Sequence, residues 1–217
     1  TELTDENGNT TSFTYNSLNR LTGITEPDPD GNGPLQSPVT TFTYDARGNL
    51  ESTTDAAGST SMLVYDVLDR LIQEIDDDDN LLQFRYDAKG NLLTTIDPLG
   101  NVTRNVYDTR DRLVESIDPD GGVTSFRYDS ASNLTSLTDP VGNETTFTYD
   151  ARNRLVSETD PLGNAIGYEY DLVDNLIRKT DRNDRVTEFV YDDVDRLVRE
   201  TWLNVDEGVA NQIDYSY

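Results

Sequence analysis

The sequence predicts an all-β fold, a repeat array of 21-residue β-hairpins forming a continuous antiparallel sheet. Three observations predict it. Tyrosines recur as Tyr44, Tyr65, Tyr86, Tyr107, Tyr128, Tyr149, Tyr170 and Tyr191, each 21 residues from the last. Six positions after each stands a leucine: Leu50, Leu71, Leu92, Leu113, Leu134, Leu155, Leu176 and Leu197. Turn residues cut every period twice, which leaves room for strands and none for a helix of ordinary length.

Read from its first residue, the single array of about nine to ten repeats spans residues 1–217. It is entered in mid-repeat, because Asp5-Glu6-Asn7-Gly8 already occupies a turn. Tyr15 and Leu21 form the first complete pair. The step from Tyr15 to Tyr44 is 29 residues, since a loop insertion at 26–39, rich in Pro, Gly and Asp, swells that repeat. Regular repeats follow up to Leu197. The stretch 198–217 is an irregular long repeat: Trp202 stands where the others have Asp, and Tyr217 comes 26 residues after Tyr191. Stopping at an aromatic pair, Tyr215 and Tyr217, the array is expected to be cut in mid-repeat here too.

Within a repeat, the first turn follows the tyrosine, as in Asp150-Ala151-Arg152-Asn153. Its Asp can bond the backbone two residues on, and its fourth position is held by residues that accept positive φ: Gly48, Gly90, Asn19, Asn153, Asp69, Asp111, Asp174, Asp195 or Ser132. The second turn is most regular at Asp97 to Gly100, Asp118 to Gly121, Asp139 to Gly142 and Asp160 to Gly163. There Asp-Pro-x-Gly is the signature of a type I turn. Between turns run strands of about six residues. Thr124, Phe126 and Tyr128 alternate onto one face, expected to be the buried one. In the preceding strand Leu113 and Ile117 are expected to share a face, with Val114 and Ser116 on the other. Tyr, Phe and Leu then form ladders from repeat to repeat. A longer rhythm precedes the leucines: Arg20, Asn49, Arg70, Asn91, Arg112, Asn133, Arg154, Asn175 and Arg196 alternate without a break. The Arg repeats are expected to set a cation beside the carboxylates of a neighbouring turn.

Composition narrows the function. At 34% hydrophobic the chain falls below the roughly 45–50% of average globular usage, so any core is thin. A net charge of −25 repels nucleic acid and anionic membrane. With no Cys and no His, disulfides, Cys-His and Ser-His-Asp catalysis and His-ligated zinc are excluded. There is no apolar run long enough to span a membrane as a helix, and no signal peptide is visible. Forty-two acidic residues make carboxylate pairs so common that spacing alone does not argue for glycoside hydrolysis. No catalytic, cofactor-binding or metal site is therefore assigned. The Asp76 to Asp79 run with Asn80 offers oxygen ligands for Ca²⁺, but it fits no calcium-loop pattern and reads as a solvated acidic turn. Glycosylation sequons at Asn9, Asn101, Asn133 and Asn143 follow from the repeat itself.

The pattern Tyr-Asp-x-x-Gly-Asn/Arg-Leu, then Asp-x-x-Gly, then Tyr-Asp again, resembles the YD repeat of the Rhs family over essentially the whole chain. That family includes Rhs polymorphic toxins, cocoon-forming components of insecticidal toxin complexes, wall-associated bacterial proteins and the teneurins. The resemblance implies a β-ribbon that spirals into a shell or tube, in toxin members around a C-terminal effector. The element that carries the family's self-cleavage aspartates is not in this sequence, so no site is carried over. The expectation is a non-enzymatic structural segment of a large secreted or cell-surface protein. Its partners would be other repeats of the parent chain or identical copies, with an enclosed toxin or a carbohydrate as further candidates. A self-assembling filament or tube subunit and an adhesive, carbohydrate-binding module are the alternatives. Each distinguishes itself by what completes or covers the sheet.

Overall fold

The computed structural model describes residues 1–31, 35–204 and 208–217, which divide into two compact units, Thr1–Arg104 and Asn105–Tyr217. Strands rich in Thr, Val, Ile, Phe and Tyr suit the pleated backbone. Among the described residues all regular structure is β. In the first unit the strands are β1 (Glu2–Thr4), β2 (Thr10–Tyr15), β3 (Leu21–Thr25), β4 (Val39–Tyr44), β5 (Leu50–Thr54), β6 (Thr60–Tyr65), β7 (Leu71–Ile75), β8 (Leu81–Tyr86) and β9 (Leu92–Ile96). β10 (Val102–Tyr107) runs across the division. The second unit continues with β11 (Leu113–Ile117), β12 (Val123–Tyr128), β13 (Leu134–Thr138), β14 (Glu144–Tyr149), β15 (Leu155–Thr159), β16 (Ala165–Tyr170), β17 (Leu176–Thr180), β18 (Val186–Tyr191), β19 (Leu197–Leu203) and β20 (Val209–Asp214).

Each strand lies antiparallel to its neighbours in sequence. In the first unit pairing runs from β1–β2 through β8–β9, with Ile96 opposite Val102 at the start of β10. In the second it runs from β11–β12 through β19–β20. From β2 onward six-residue strands thus alternate with five-residue ones until β19, which has seven residues.

A bulge sits at the tyrosine end of the longer strands. In β12–β13, Tyr128 lies opposite Leu134 and Arg127 opposite Ser136, so Thr135 is the extra residue. Phe126 then faces Leu137. The same shift occurs at Tyr44, Tyr65, Tyr86, Tyr149, Tyr170 and Tyr191. It corrects one expectation. Simple alternation puts a leucine and the residue four positions on upon one face, but the extra residue reverses the count. Ser116 lies opposite Thr124, on the tyrosine face, whereas Ile117 lies opposite Val123 on the other.

The expectation of a buried face is corrected as well. Phe126 and Tyr128 are only half-buried, and among the described residues no hydrophobic side chain is fully buried. Burial within each unit comes from cross-strand neighbours among the described residues. Among the described residues the buried side chains are polar, Ser136 at 6% and Thr201 at 8% exposed.

The insertion leaves and rejoins the sheet at one point, where the Glu26 amide donates to the Pro38 carbonyl at 2.9 Å. Residues 32–34 of that insertion and 205–207 of the last repeat lie outside the described residues. No helix among the described residues is long and apolar enough to cross a membrane.

Candidate functional site

Each repeat concentrates its charged and aromatic residues at the turn after the tyrosine, and the geometry there builds up from a single Asp. Asp108 heads a five-residue loop: its amide donates to the Arg112 carbonyl at 2.9 Å, and the Asp111 amide donates back to the Asp108 carbonyl at 3.1 Å. Asp111 has φ 61°, a left-handed conformation that Asp and Asn tolerate. This is a type I turn closed by a left-handed residue. The Asp108 carboxylate then satisfies the loop, Oδ1 accepting from the amides of Arg110 (2.8 Å) and Arg112 (3.1 Å). The loop needs only its own five residues.

Its opposite oxygen begins the link to the next repeat. Arg112 Nε donates to Asp108 Oδ2 at 2.7 Å, with Nη2 at 2.6 Å from the same oxygen. Thus anchored, Arg112 donates through Nη1 to the Asp129 carbonyl of the next turn at 3.0 Å. Its guanidinium carbon stands 4.7 Å from the centre of the Tyr128 ring, within cation–π range. The Tyr128 hydroxyl closes the loop of contacts by donating to the Leu113 carbonyl at 2.9 Å. Arg154, Asp150, Asp171 and Tyr170 repeat this clamp. In the first unit Arg70, Asp66, Asp87 and Tyr86 show the same Arg contacts.

The intervening repeats carry a second type of link. Asn49 donates one amide proton to its own Asp45 and another to Asp69, the left-handed residue of the following turn, at 2.8 Å. Asn133 reaches Asn153 at 2.9 Å, and Asn175 reaches Asp195 at 3.0 Å. An acceptor side chain is therefore needed at the left-handed position after an Asn repeat. After an Arg repeat that position can be glycine: a Cβ added at Gly48, whose φ is 105°, would stand 3.1 Å from Arg20 Nη1. The expectation that each Arg pairs with a neighbouring turn's carboxylate needs adjustment. Its main carboxylate partner is its own turn's Asp, although Arg154 also reaches Asp174 at 2.8 Å.

Arg20 differs from the rest. Asn16 replaces the turn Asp, and its Oδ1 accepts from the amides of Leu18 and Arg20. No second carboxylate oxygen remains, and Arg20 Nε is buried without a partner. The alternation of Arg and Asn was visible in the sequence, but their targets were not, because the strand offset that aligns successive turns comes from the bulge.

The ladder residues meet in pairs across the turn: Tyr44 with Leu50, Tyr65 with Leu71, Tyr86 with Leu92, Tyr128 with Leu134, Tyr149 with Leu155, Tyr170 with Leu176 and Tyr191 with Leu197. Burial, aided by the charge of Asp129 or Asp171 from the repeat before, pushes the Tyr149 and Tyr191 phenols above their usual range. The hydrogen bond from Arg112 holds the Asp108 carboxyl below its usual range, as Arg70 does for Asp66.

At the opposite edge the same five-residue loop recurs with fewer links. Asp97 accepts from the Leu99 and Asn101 amides and from the Asn101 side chain, and the Gly100 amide donates to the Asp97 carbonyl at 2.9 Å. Gly100 has φ 83°, which explains its place there. Asp118 with Gly121, Asp139 with Gly142 and Asp160 with Gly163 close in the same manner. Asp76 is likewise committed to its own loop by Asp78 and Asn80, and among the described residues no three acidic side chains are grouped to hold a metal ion.

Comparison with known proteins matches the repeat as a whole. The RHS Repeat family matches residues 1–32, 33–60, 65–102, 107–144, 128–165 and 167–201. No curated protein matches the sequence. Among solved structures, the chain resembles one in the crystal structure of TcdB2-TccC3-Cdc42, with TM-score 0.63 and 16% identity over 100% of this chain. A chain in the crystal structure of TcdB2-TccC3 without the hypervariable C-terminal region is similar, with TM-score 0.60 and 16% identity, again over 100% of this chain. The present chain spans 14% of the length of each. The fold is thus shared with those proteins, and the repeat matches, covering most of the sequence, establish that this chain belongs to the RHS repeat family.

Proposed function

We propose that this chain is a non-catalytic wall segment of a larger secreted or cell-surface protein, a scaffold that neighbouring repeats of the same parent chain extend into a shell. One observation carries the reading: the groups with chemistry to offer are spent on their own turn or on the adjacent repeat. Asp108 is bonded within its own turn, and Arg112 and Tyr128 bond between repeats, in a geometry that leaves the carboxylate as an acceptor for fixed N–H groups. A sheet of this kind separates two spaces with a single layer of protein. The family resemblance and the fold shared with TcdB2-TccC3 support the same role, with an enclosed protein as cargo.

Electron microscopy of the full-length protein, with light scattering for its mass, tests this. Hollow monomeric particles with a wall about one sheet thick, on the order of 10 Å, are expected. Filaments that lengthen with concentration would overturn the proposal and make the segment a self-assembling subunit.

A further inference from the structure

Two arginines of the first unit stand apart from the committed groups of the turns. Arg85 in β8 lies opposite Thr94 in β9, and Thr94 lies opposite Arg104 in β10, so the three form one row across three strands. The row is on the face away from the tyrosines, because Arg85 alternates with Phe84 and Tyr86 along β8. Arg70 and Arg112 are tied to Asp66 and Asp108, but Arg85 and Arg104 are exposed and, among the described residues, make neither an ion pair nor a hydrogen bond. Their guanidinium N–H donors are uncommitted.

The surroundings explain why. The next row on this face is Val64, Gln73, Gln83, Ile96 and Val102, and the one beyond it contains Met62, Ile75 and Leu81. None of these is a carboxylate. Glu74 falls on the other face, opposite Leu63 and Leu82. A groove that Arg85 shares with Gln73 and Gln83 also holds Asp66, but that carboxylate is already paired with Arg70 at 2.6 Å. In a chain of net charge −25 the row is thus a locally positive patch, and acidic turns more than about 8 Å away are screened from it at physiological salt.

We propose that this row binds the phosphoryl group of a phosphomonoester. Side chains directly opposite one another start about 4.5–5.5 Å apart, so the two arginines flank Thr94 from roughly 10 Å apart and their forks converge above it. A carboxylate has two oxygens and is satisfied by one such fork. A phosphoryl group has three terminal oxygens, enough to accept from two forks and the Thr94 hydroxyl together. Beside the row, the half-buried Ile96 and Val102 offer an apolar surface to the organic group of the ester. The assignment goes beyond the wall role and does not depend on it.

Isothermal titration calorimetry of the whole chain with phenyl phosphate at low ionic strength tests this, with benzoate and with phosphatidylcholine vesicles containing phosphatidic acid in parallel. Saturable binding of phenyl phosphate with a Kd of about 1 mM or below is expected, with benzoate at least about tenfold weaker and no attachment to the vesicles. Arg85→Gln and Arg104→Gln, each checked for an unchanged β-sheet circular dichroism spectrum, should weaken binding by about fivefold or more. Arg127→Gln, at an exposed arginine with Ser136 opposite, should leave it unchanged. Absence of saturable binding, equal affinity for benzoate, or an equal loss in all three variants would overturn the proposal. So would attachment to vesicles without binding of phenyl phosphate. None of these results bears on hollow particles seen by microscopy.

Discussion

The two turn edges of the sheet use one loop and put it to different uses. At both, an Asp accepts two backbone amides and a fourth residue turns left-handed, so each hairpin closes by itself. At the tyrosine edge a recurring side chain passes from one loop to the next, through Arg112 to Asp129 and Tyr128 or through Asn133 to Asn153. At the Asp-Pro-x-Gly edge the third residue points outward, and Leu99, Val141 and Leu162 are 83–88% exposed. One link there is Arg182, which bonds Glu158 and lies 3.5 Å from Asp160. The lesson is that local closure and repeat-to-repeat cohesion are separate properties, written by different residues.

The separation can be broken most severely at the tyrosine. Tyr128→Ala removes the ring beneath Arg112 and the bond to Leu113, and should cost about 2–4 kcal/mol in urea unfolding, while Val141→Ala should change little. Tyr128→Phe, which deletes only the hydroxyl, should cost about 0.5–1.5 kcal/mol. Equal losses from Tyr128→Ala and Val141→Ala would erase the distinction between edges. Next in size, Arg112→Gln should cost about 1–2 kcal/mol, because a charge-assisted bond and a contact to the next turn go together. Asn101→Ala, which affects one loop at the other edge, should cost about 0.5–1 kcal/mol. In the opposite direction, Asn16→Asp should stabilise by about 1 kcal/mol, by giving the buried Arg20 Nε the acceptor that its counterparts have. Thermal melting that fell instead would show that the Asn16 amide has a role of its own.

The smallest effect per site is that of pH, and it acts on both edges. Asp108 and Asp97 are held below the usual carboxylate range by the side chains of Arg112 and Asn101. Their folded pKa values lie under the unfolded one, so this stability is present above the ordinary value of 3.8 and is lost as pH falls through the depressed values. The Tyr149 and Tyr191 phenols are raised, so their contribution is present below pH 10 and is lost above it. Urea midpoints measured across pH should form a plateau between these limits. Asp97→Asn should flatten its acid side, and a midpoint rising below pH 3.8 would contradict the assignment.

Much of this was legible in the sequence because short-range chemistry determines it. The spacing of Tyr128 and Tyr149 gives the repeat, and Asp97-Pro98-Leu99-Gly100 gives a turn whose closure depends on neighbours within five residues. The bulge was not legible, since Thr135 is an ordinary strand residue and only the pairing of Tyr128 with Leu134 reveals that it is extra. From that offset came both the reversed face of Ile117 and the alignment that brings Arg112 over Tyr128. Trp202 was visible as an irregularity, yet its pairing with Thr187 depends on where β19 ends.

Every described strand within the two units pairs with the strand before or after it in sequence. In such a chain the partners of each strand and turn described above lie within the next repeat or so, close at hand during synthesis. Each hairpin can form as its second strand emerges, and each new one docks on a surface already made. Assembly then proceeds in the direction of translation, and a growing segment remains competent at every length instead of depending on its final residue.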